Sequence, residues 1–251
     1  MFPLKDENPT ELTPFVTVAL ILANVAVWLL VQGAGMGQRF LESLCVYGSI
    51  PAEITGAIRP GQLVELGQAY CTIGGYGVST LVTSMFLHGS WMHLIGNMWF
   101  LWVFGNNIED SMGHVRFTLF YLITGLVASG AHVVSALDSP VPTVGASGAI
   151  SGVMGAYLVL YPHVRVHTFV IFFYFARIVA LPAVVILGLW FAIQLLQGTA
   201  GGGGGVAFWA HIGGFVAGVA LIKLFERPKL VLAKRQHRKL GREELGRWER
   251  W

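Results

Sequence analysis

Apolar residues run along this chain in long blocks, and polar ones appear mainly where the blocks end. Six blocks approach the ~20 residues that a helix needs to cross a ~30 Å hydrocarbon layer: 13–32, 91–105, 116–136, 147–162, 178–197 and 206–225. The second and fourth are short in strictly apolar residues. "NPTELTPF" leads into the first, with Thr13 expected as the helix cap and Pro14 at the first helical position. Residues 33–90 mix Gly, Pro and short apolar stretches, a segment too long for a turn and expected to pack on the membrane surface. "GNNIEDSMGH" reads as a turn, and "ALDSPVPT" as a loop whose prolines end the third helix. The stretch 166–197 is apolar for longer than one crossing needs, with breaks at Arg177 and Pro182. The fifth helix is therefore expected after Arg177, with 166–176 lying along the membrane interface. "GTAGGGGG", 198–205, reads as a flexible loop. The pattern predicts an all-α membrane protein in three parts: an amino-terminal segment 1–12, a six-helix transmembrane domain 13–225 and a basic tail 226–251.

Composition agrees with that reading. The 251 residues are 55% hydrophobic and 12% charged, about half the charge of a soluble domain. Ten of the sixteen Lys and Arg lie between Lys223 and Arg250, and Lys5, Arg116, Arg165 and Arg177 fall on the same side of the expected spans. Only Arg39 and Arg59 lie in 33–90. Positive charge marks the cytoplasmic side, so both termini are expected inside and 33–90 largely outside. The net charge of +3 is then a topology signal. No nucleic-acid partner is expected, because the tail has no matching fold motif; a solvated tail touching anionic lipid is the simpler reading. Lys5, Asp6, Glu7 and Glu11 stand where a cleaved signal peptide would carry a basic leader, so none is expected. Cys45 and Cys71 share the external segment, where a disulfide could persist. A bridge and two free thiols both remain open.

A polar group inside a bilayer is expensive, which makes each one a functional candidate. Ser147 begins the fourth helix, between Gly145 and Gly148, and His211 lies in "WAHIGGFVAG" of the sixth. His93 and Asn97, in "HLIGN", share one face of the second. Taken singly, each has a simple structural role as a packing hydroxyl or cap, a bonded imidazole, or interhelical glue. Together they resist that assignment, because all lie in the outward halves of helices that start on one side. The glycines give them a reason to meet. Gly148, Gly152 and Gly155 on the fourth helix, with Gly214 and Gly218 on the sixth, are small surfaces at helical spacing that let backbones approach. Gly214 and Gly218 share the face of His211, so close approach would bring its imidazole to the Ser147 hydroxyl. A nucleophile and its general base require that proximity.

Elimination narrows the chemistry. No HExxH motif is present, so a zinc protease lacks its ligand set. Asp6, Asp110 and Asp138 fall in expected loops or tails, which removes a paired-aspartate protease. No carboxylate occupies the outer half of a span, which removes a triad acid. Chemistry at Ser147 is expected to use a dyad, with no metal and no cofactor.

"GASG" at the head of the fourth helix, "AHIGGFVAG" in the sixth and "HLIGN" in the second resemble the rhomboid family of intramembrane serine proteases. The resemblance runs from about Thr80 to Phe225 and takes in "FLHGSWMHLIGN", "GAYLVLYP" and "EDSMGHVRF". It implies a six-transmembrane-helix rhomboid bundle with a long external loop between helices 1 and 2. It further implies Ser147 as nucleophile, His211 as base and then acid, and an oxyanion site made by the Ser147 N–H with His93 and Asn97. Glu109, with Gly113 and Phe117, is given a structural role. The implied partners are transmembrane protein substrates, cut within the lipid bilayer near its outer face; the oligomeric state stays open. The expected location is a bacterial inner membrane, and the composition of "GTAGGGGGVAF" suits a mobile cap over the site. One position departs from the family pattern: residue 151, often an aromatic stacked on the imidazole, is Ser151. Its hydroxyl is expected to bond back to the carbonyl of residue 147. The rival class is a non-catalytic rhomboid-like membrane chaperone or quality-control protein, which loss of the serine or histidine would favour. A transporter is set aside because the chain shows no inverted repeat.

Overall fold

The computed structural model describes residues 2–66, 69–172, 175–201 and 206–236. Along these residues the chain runs β1 (Phe2–Asp6), α1 (Phe15–Ala26, continued by a π-turn at Val27–Val31), α2 (Gly37–Tyr47), α3 (Pro51–Ile54), β2 (Leu63–Leu66) and β3 (Ala69–Thr72). It continues through α4 (Thr80–Thr83), α5 (Trp91–Met112), α6 (His114–Ser135) and α7 (Ser147–Leu160), then β4 (Arg165–Phe172) and β5 (Phe175–Pro182). α8 (Ala183–Thr199), α9 (Phe208–Phe225) and α10 (Pro228–Arg235) complete it. The protein is mostly helical, as the apolar blocks predict, with α7 at the centre and packed against α9, α6 and α5. Two helices, α6 and α9, combine the length and apolar character of a membrane span, and α7 and α8 are shorter apolar helices.

Three boundaries differ from expectation, each for a visible reason. α5 does not stop before "GNNIEDSM" but runs through it to Met112, and Gly113, at φ 82°, ends it. The polar residues of its last turns do not break the helix because neighbouring segments bond them. Glu109 is fully buried and accepts from the Val16 and Thr17 amides (2.9 and 2.8 Å), the Thr17 hydroxyl (2.7 Å) and the His114 ring at Nδ1 (2.6 Å). It thereby does for the start of α1 what Thr13 was expected to do: α1 has no cap of its own, and Pro14 precedes its first residue.

The second difference lies at 166–182. Residues expected to lie along the interface, and then to begin a helix, form a β-hairpin whose register runs from Arg165 opposite Pro182 to Phe172 opposite Phe175. β1 adds to it antiparallel, with Phe2 opposite Phe169. The segment is rich in β-branched residues and alternates with period two: Val166 and Thr168 are buried, while Phe169 and Ile171 are exposed. α8 accordingly starts only after Pro182, anchored by the Ala183 and Val184 amides on the Val164 and Pro162 carbonyls. The fold is thus mostly helical, as the all-α expectation has it, with this sheet and the β2–β3 hairpin added to the helices.

Third, the tail does not leave the bundle at once. α10 folds back against α5, and the Lys234 ammonium, 8% exposed as a residue, pairs with Asp110 at 2.6 Å and Asn107 at 2.7 Å. Asp6 accepts from Tyr157 (2.5 Å) and Asn107 (2.7 Å) beside it. Asp6 and Asp110 therefore sit in packed elements, not in loops. Burial pushes the Asp6 carboxyl above its ordinary range and the Lys234 ammonium below its own, with Asp110 opposing the second shift. The rest of the tail, 237–251, lies outside the described residues.

Residues 33–90 are folded. Cys45 and Cys71 form a disulfide with Cα atoms 5.4 Å apart, at the centre of a small core with Ile50 and Ile73. Gln32 ties this region to the head of α5 through two bonds with the backbone of His88, both 2.8 Å. A Ser49–Thr143 bridge ties it to the loop before α7.

Candidate active site

The site is built at the amino end of α7. The strand-like loop of "TVGASG" is held by Thr143 on Ser49 and by the Gly145 amide on the Ser84 carbonyl (2.9 Å). Gly145, at φ +133°, then turns the chain into Ala146, the cap before Ser147. A β-carbon at 145 would lie 2.8 Å from His93 Nε2, so glycine there also leaves room for the His93 ring. Ser147 is the first helical residue, and the amides of this first turn have no intrahelical partner.

α9 reaches the same place because nothing separates it from α7. A β-carbon at Gly214 would overlap the Gly148 carbonyl, and one at Gly218 the Gly152 carbonyl. Gly148 and Gly152 are small for a second neighbour as well, since β-carbons there would strike Ala128 and Thr124 of α6 at 2.6 and 2.5 Å. With the backbones in contact, His211 on α9 places Nε2 2.8 Å from Ser147 Oγ. The expected pair is therefore adjacent.

His93 and Asn97 stand on the wall of the same cleft, a space of about 810 Å³ that Ser147 and His211 also line. The cap of α5 sets their direction: Ser90 Oγ accepts from the His93 amide (3.1 Å). His93 Nδ1 accepts from the Gly89 amide (3.3 Å), which leaves Nε2 as the protonated, donating nitrogen of the neutral ring. Asn97 Nδ2 is buried and makes no hydrogen bond among the described residues. A buried amide donor without a partner costs stability, so its place at a cleft wall asks for a reason.

Ser151 Oγ donates to the Ser147 carbonyl at 2.6 Å, the local bond expected of a helical serine. The aromatic neighbour of the imidazole comes instead from α8: the Trp190 ring lies 5.7 Å from that of His211, inclined by 39°. One turn further along, Gln194 Oε1 is 2.7 Å from His211 Nδ1. Sequence reasoning missed Gln194. The same rule that singled out Ser147, a polar side chain in an apolar helix, applies to "LWFAIQLL" and would have found it. The loop expected to cap the site, "GTAGGGGGVAF", falls partly outside the described residues, at 202–205. Among the described residues no group of three or more His, Cys, Asp or Glu is placed to hold a metal.

The sequence matches known proteins along the part that builds this site. The model of the rhomboid domain matches residues 76–228. RHOMBOID-like protein 6, mitochondrial, of Arabidopsis thaliana is 31% identical over 169 residues, covering 61% of this chain and 54% of that protein. Rhomboid-like protein 11, chloroplastic, of the same plant is 44% identical over 73 residues, 28% of this chain and 25% of the relative. Rhomboid protease GluP of Bacillus subtilis is 35% identical over 145 residues, 56% of this chain and 25% of the relative. The chain thus spans from a quarter to about half the length of these relatives. Because they come from mitochondria and chloroplasts as well as a bacterium, the expected bacterial inner membrane is not supported. The matched region holds all four candidate side chains and the glycines that bring them together, and the chain belongs to the rhomboid family.

Proposed function

We propose that this chain is an intramembrane serine endopeptidase that cuts transmembrane segments of other proteins with Ser147 and His211. The observation that carries the reading is the 2.8 Å contact between Ser147 Oγ and His211 Nε2 inside a cleft. As Oγ bonds to the scissile carbonyl carbon, its proton passes to Nε2 and the carbonyl electron pair moves onto oxygen. The oxyanion falls beside the Ser147 amide at a helix amino terminus, which favours negative charge, and beside the His93 and Asn97 donors. Such preorganised donors usually form the largest catalytic contribution. When the C–N bond breaks, the imidazolium gives its proton to the leaving amine. Water, deprotonated by the same nitrogen, then releases the acyl group from Ser147. A substrate helix must unwind locally first, because its carbonyls are already bonded within the helix.

The proposed topology has six spans, α1 and α5 to α9, with both termini cytoplasmic and the site in the outer half. The cation distribution supports it, and so does the Cys45–Cys71 bridge in the segment placed outside. The GluP relative carries the word protease in its name. The test is covalent labelling of the purified protein with a fluorophosphonate, paired with cleavage of a reporter transmembrane substrate in liposomes. Wild type should label and cleave; Ser147→Ala and His211→Ala should do neither while remaining folded. Cleavage retained in Ser147→Ala would end the serine mechanism, and a wild type inert in both assays would favour a non-catalytic rhomboid-like binding protein.

A further inference from the structure

We infer that Gln194 is a positioning residue for His211, holding the imidazole in the one tautomer that can act as a base; this rests on the protease reading above. Gln194 Oε1 and Ser147 Oγ approach opposite nitrogens of the ring, at 2.7 Å from Nδ1 and 2.8 Å from Nε2. An amide oxygen only accepts, so the proton of the neutral ring sits on Nδ1. The lone pair then lies on Nε2, where the Ser147 hydroxyl donates to it. The other tautomer would present Nε2–H to the serine and could not take its proton.

The bond also responds to the reaction. When Nε2 receives the Ser147 proton the ring becomes an imidazolium, and Nδ1–H···Oε1 becomes a charge-assisted hydrogen bond. An interaction that strengthens between ground state and transition state accelerates the chemical step. In a serine–histidine pair the base is commonly oriented by a third group. Here the sequence offers no acid at that depth, and a neutral amide supplies the acceptor without placing a second charge in the bilayer. Gln194 is only 8% exposed. Trp190, four residues earlier and so on the same helix face, lies against the imidazole from the side. α8 thus holds the ring by a bond at Nδ1 and a ring contact, while α7 bonds it only at Nε2, through Ser147.

The experiment compares Gln194→Met, close in shape but with only a weak thioether acceptor, with Gln194→Glu, which keeps an oxygen acceptor, in the purified full chain. Gln194→Met should lower kcat and the rate of fluorophosphonate labelling about 10- to 150-fold, the range of one hydrogen bond to a charged group. KM and Tm should not move, and Gln194→Glu should recover most of the rate. ¹⁵N NMR of histidine-labelled protein, with the His211 signal identified by its loss in His211→Ala, should show Nδ1 protonated in wild type and the preference lost in Gln194→Met. Wild-type kcat in Gln194→Met, or equal losses in both variants with a lowered Tm, would overturn the role. An active wild type with Nδ1 unprotonated would overturn this role alone. A wild type whose Ser147 is unreactive, with Nδ1 nonetheless protonated, would sink the protease reading first and this role with it.

Discussion

Gly152 and Gly218 put the backbones of α7 and α9 in direct contact: a β-carbon on Gly218 would overlap the Gly152 carbonyl group. The contact lies one turn inward from Gly148 and Gly214, five residues beyond Ser147 and seven beyond His211, so it sets the spacing on which the 2.8 Å contact depends. Gly218→Leu should push the helices apart and remove fluorophosphonate labelling. Overpacking of this kind costs about 1–3 kcal/mol, which thermal unfolding in detergent should register as a lowered Tm. Full labelling in the variant would mean that the pair does not depend on this approach.

Asn97 separates an oxyanion donor from a packing residue. Asn97 lines the cleft, and its buried Nδ2, without a partner among the described residues, should gain one only as charge develops on the substrate oxygen. Asn97→Ala should then lower kcat by on the order of 10²–10³ while Ser147 still labels, more slowly, with a fluorophosphonate. The Tm should stay level or rise, since an unsatisfied buried donor is removed. A lowered Tm at unchanged specific activity would assign Asn97 to packing.

Ser151 is expected to matter little. Its hydroxyl is spent on the Ser147 carbonyl, and the ring contact to His211 is supplied by Trp190. Ser151→Ala should change kcat by less than about tenfold, ~1.4 kcal/mol of barrier. A much larger loss at unchanged Tm would place Ser151 among the groups that hold the imidazole.

Lys234 tests the opposite end of the bundle. His93 and Asp110 are both on α5, about 25 Å apart by helical rise, so a change at Asp110 should act on stability and not on chemistry. Among the described residues, Lys234→Met leaves the buried Asp110 carboxylate with the Glu11 and Leu12 amides alone. Breaking a buried pair from one side costs about 3–5 kcal/mol, and those amides place the expected loss at the lower end. Adding Asp110→Asn to Lys234→Met should recover part of it. Equal stability of Lys234→Met and wild type would mean that α10 is not docked in solution.

Much of the molecule is written in the order of its residues. Helix starts at Ser147 and near Phe208 follow from where apolar blocks begin. The Gly-x-x-x-Gly spacing of Gly148, Gly152 and of Gly214, Gly218 marks which faces can touch. A short-range pattern suffices there, because burial in an apolar medium and close backbone approach depend on local side-chain size and polarity. Ser147 and His211 were legible for the same reason: a polar group in an apolar block stands out against its neighbours.

Other features needed partners far away in the chain. "GNNIEDSM" looks like a turn until α1, β1 and α10 supply bonds to Asn107, Glu109 and Asp110. "RVHTFVIF" reads as a segment lying along the membrane interface until "FARIVALP" and β1 pair with it, since a strand gains its hydrogen bonds only from another strand. Cys45 and Cys71 left a bridge open beside the simpler reading of two free thiols until the fold brought their Cα atoms to 5.4 Å. Gln194 is the sharpest case. Its polarity was visible in sequence, but its use was not, because the nitrogen it meets belongs to a ring seventeen residues away on another helix. Sequence chose which residues are costly to bury; tertiary packing decided which of them face one another, because hydrogen bonds need a geometry that only assembled helices provide.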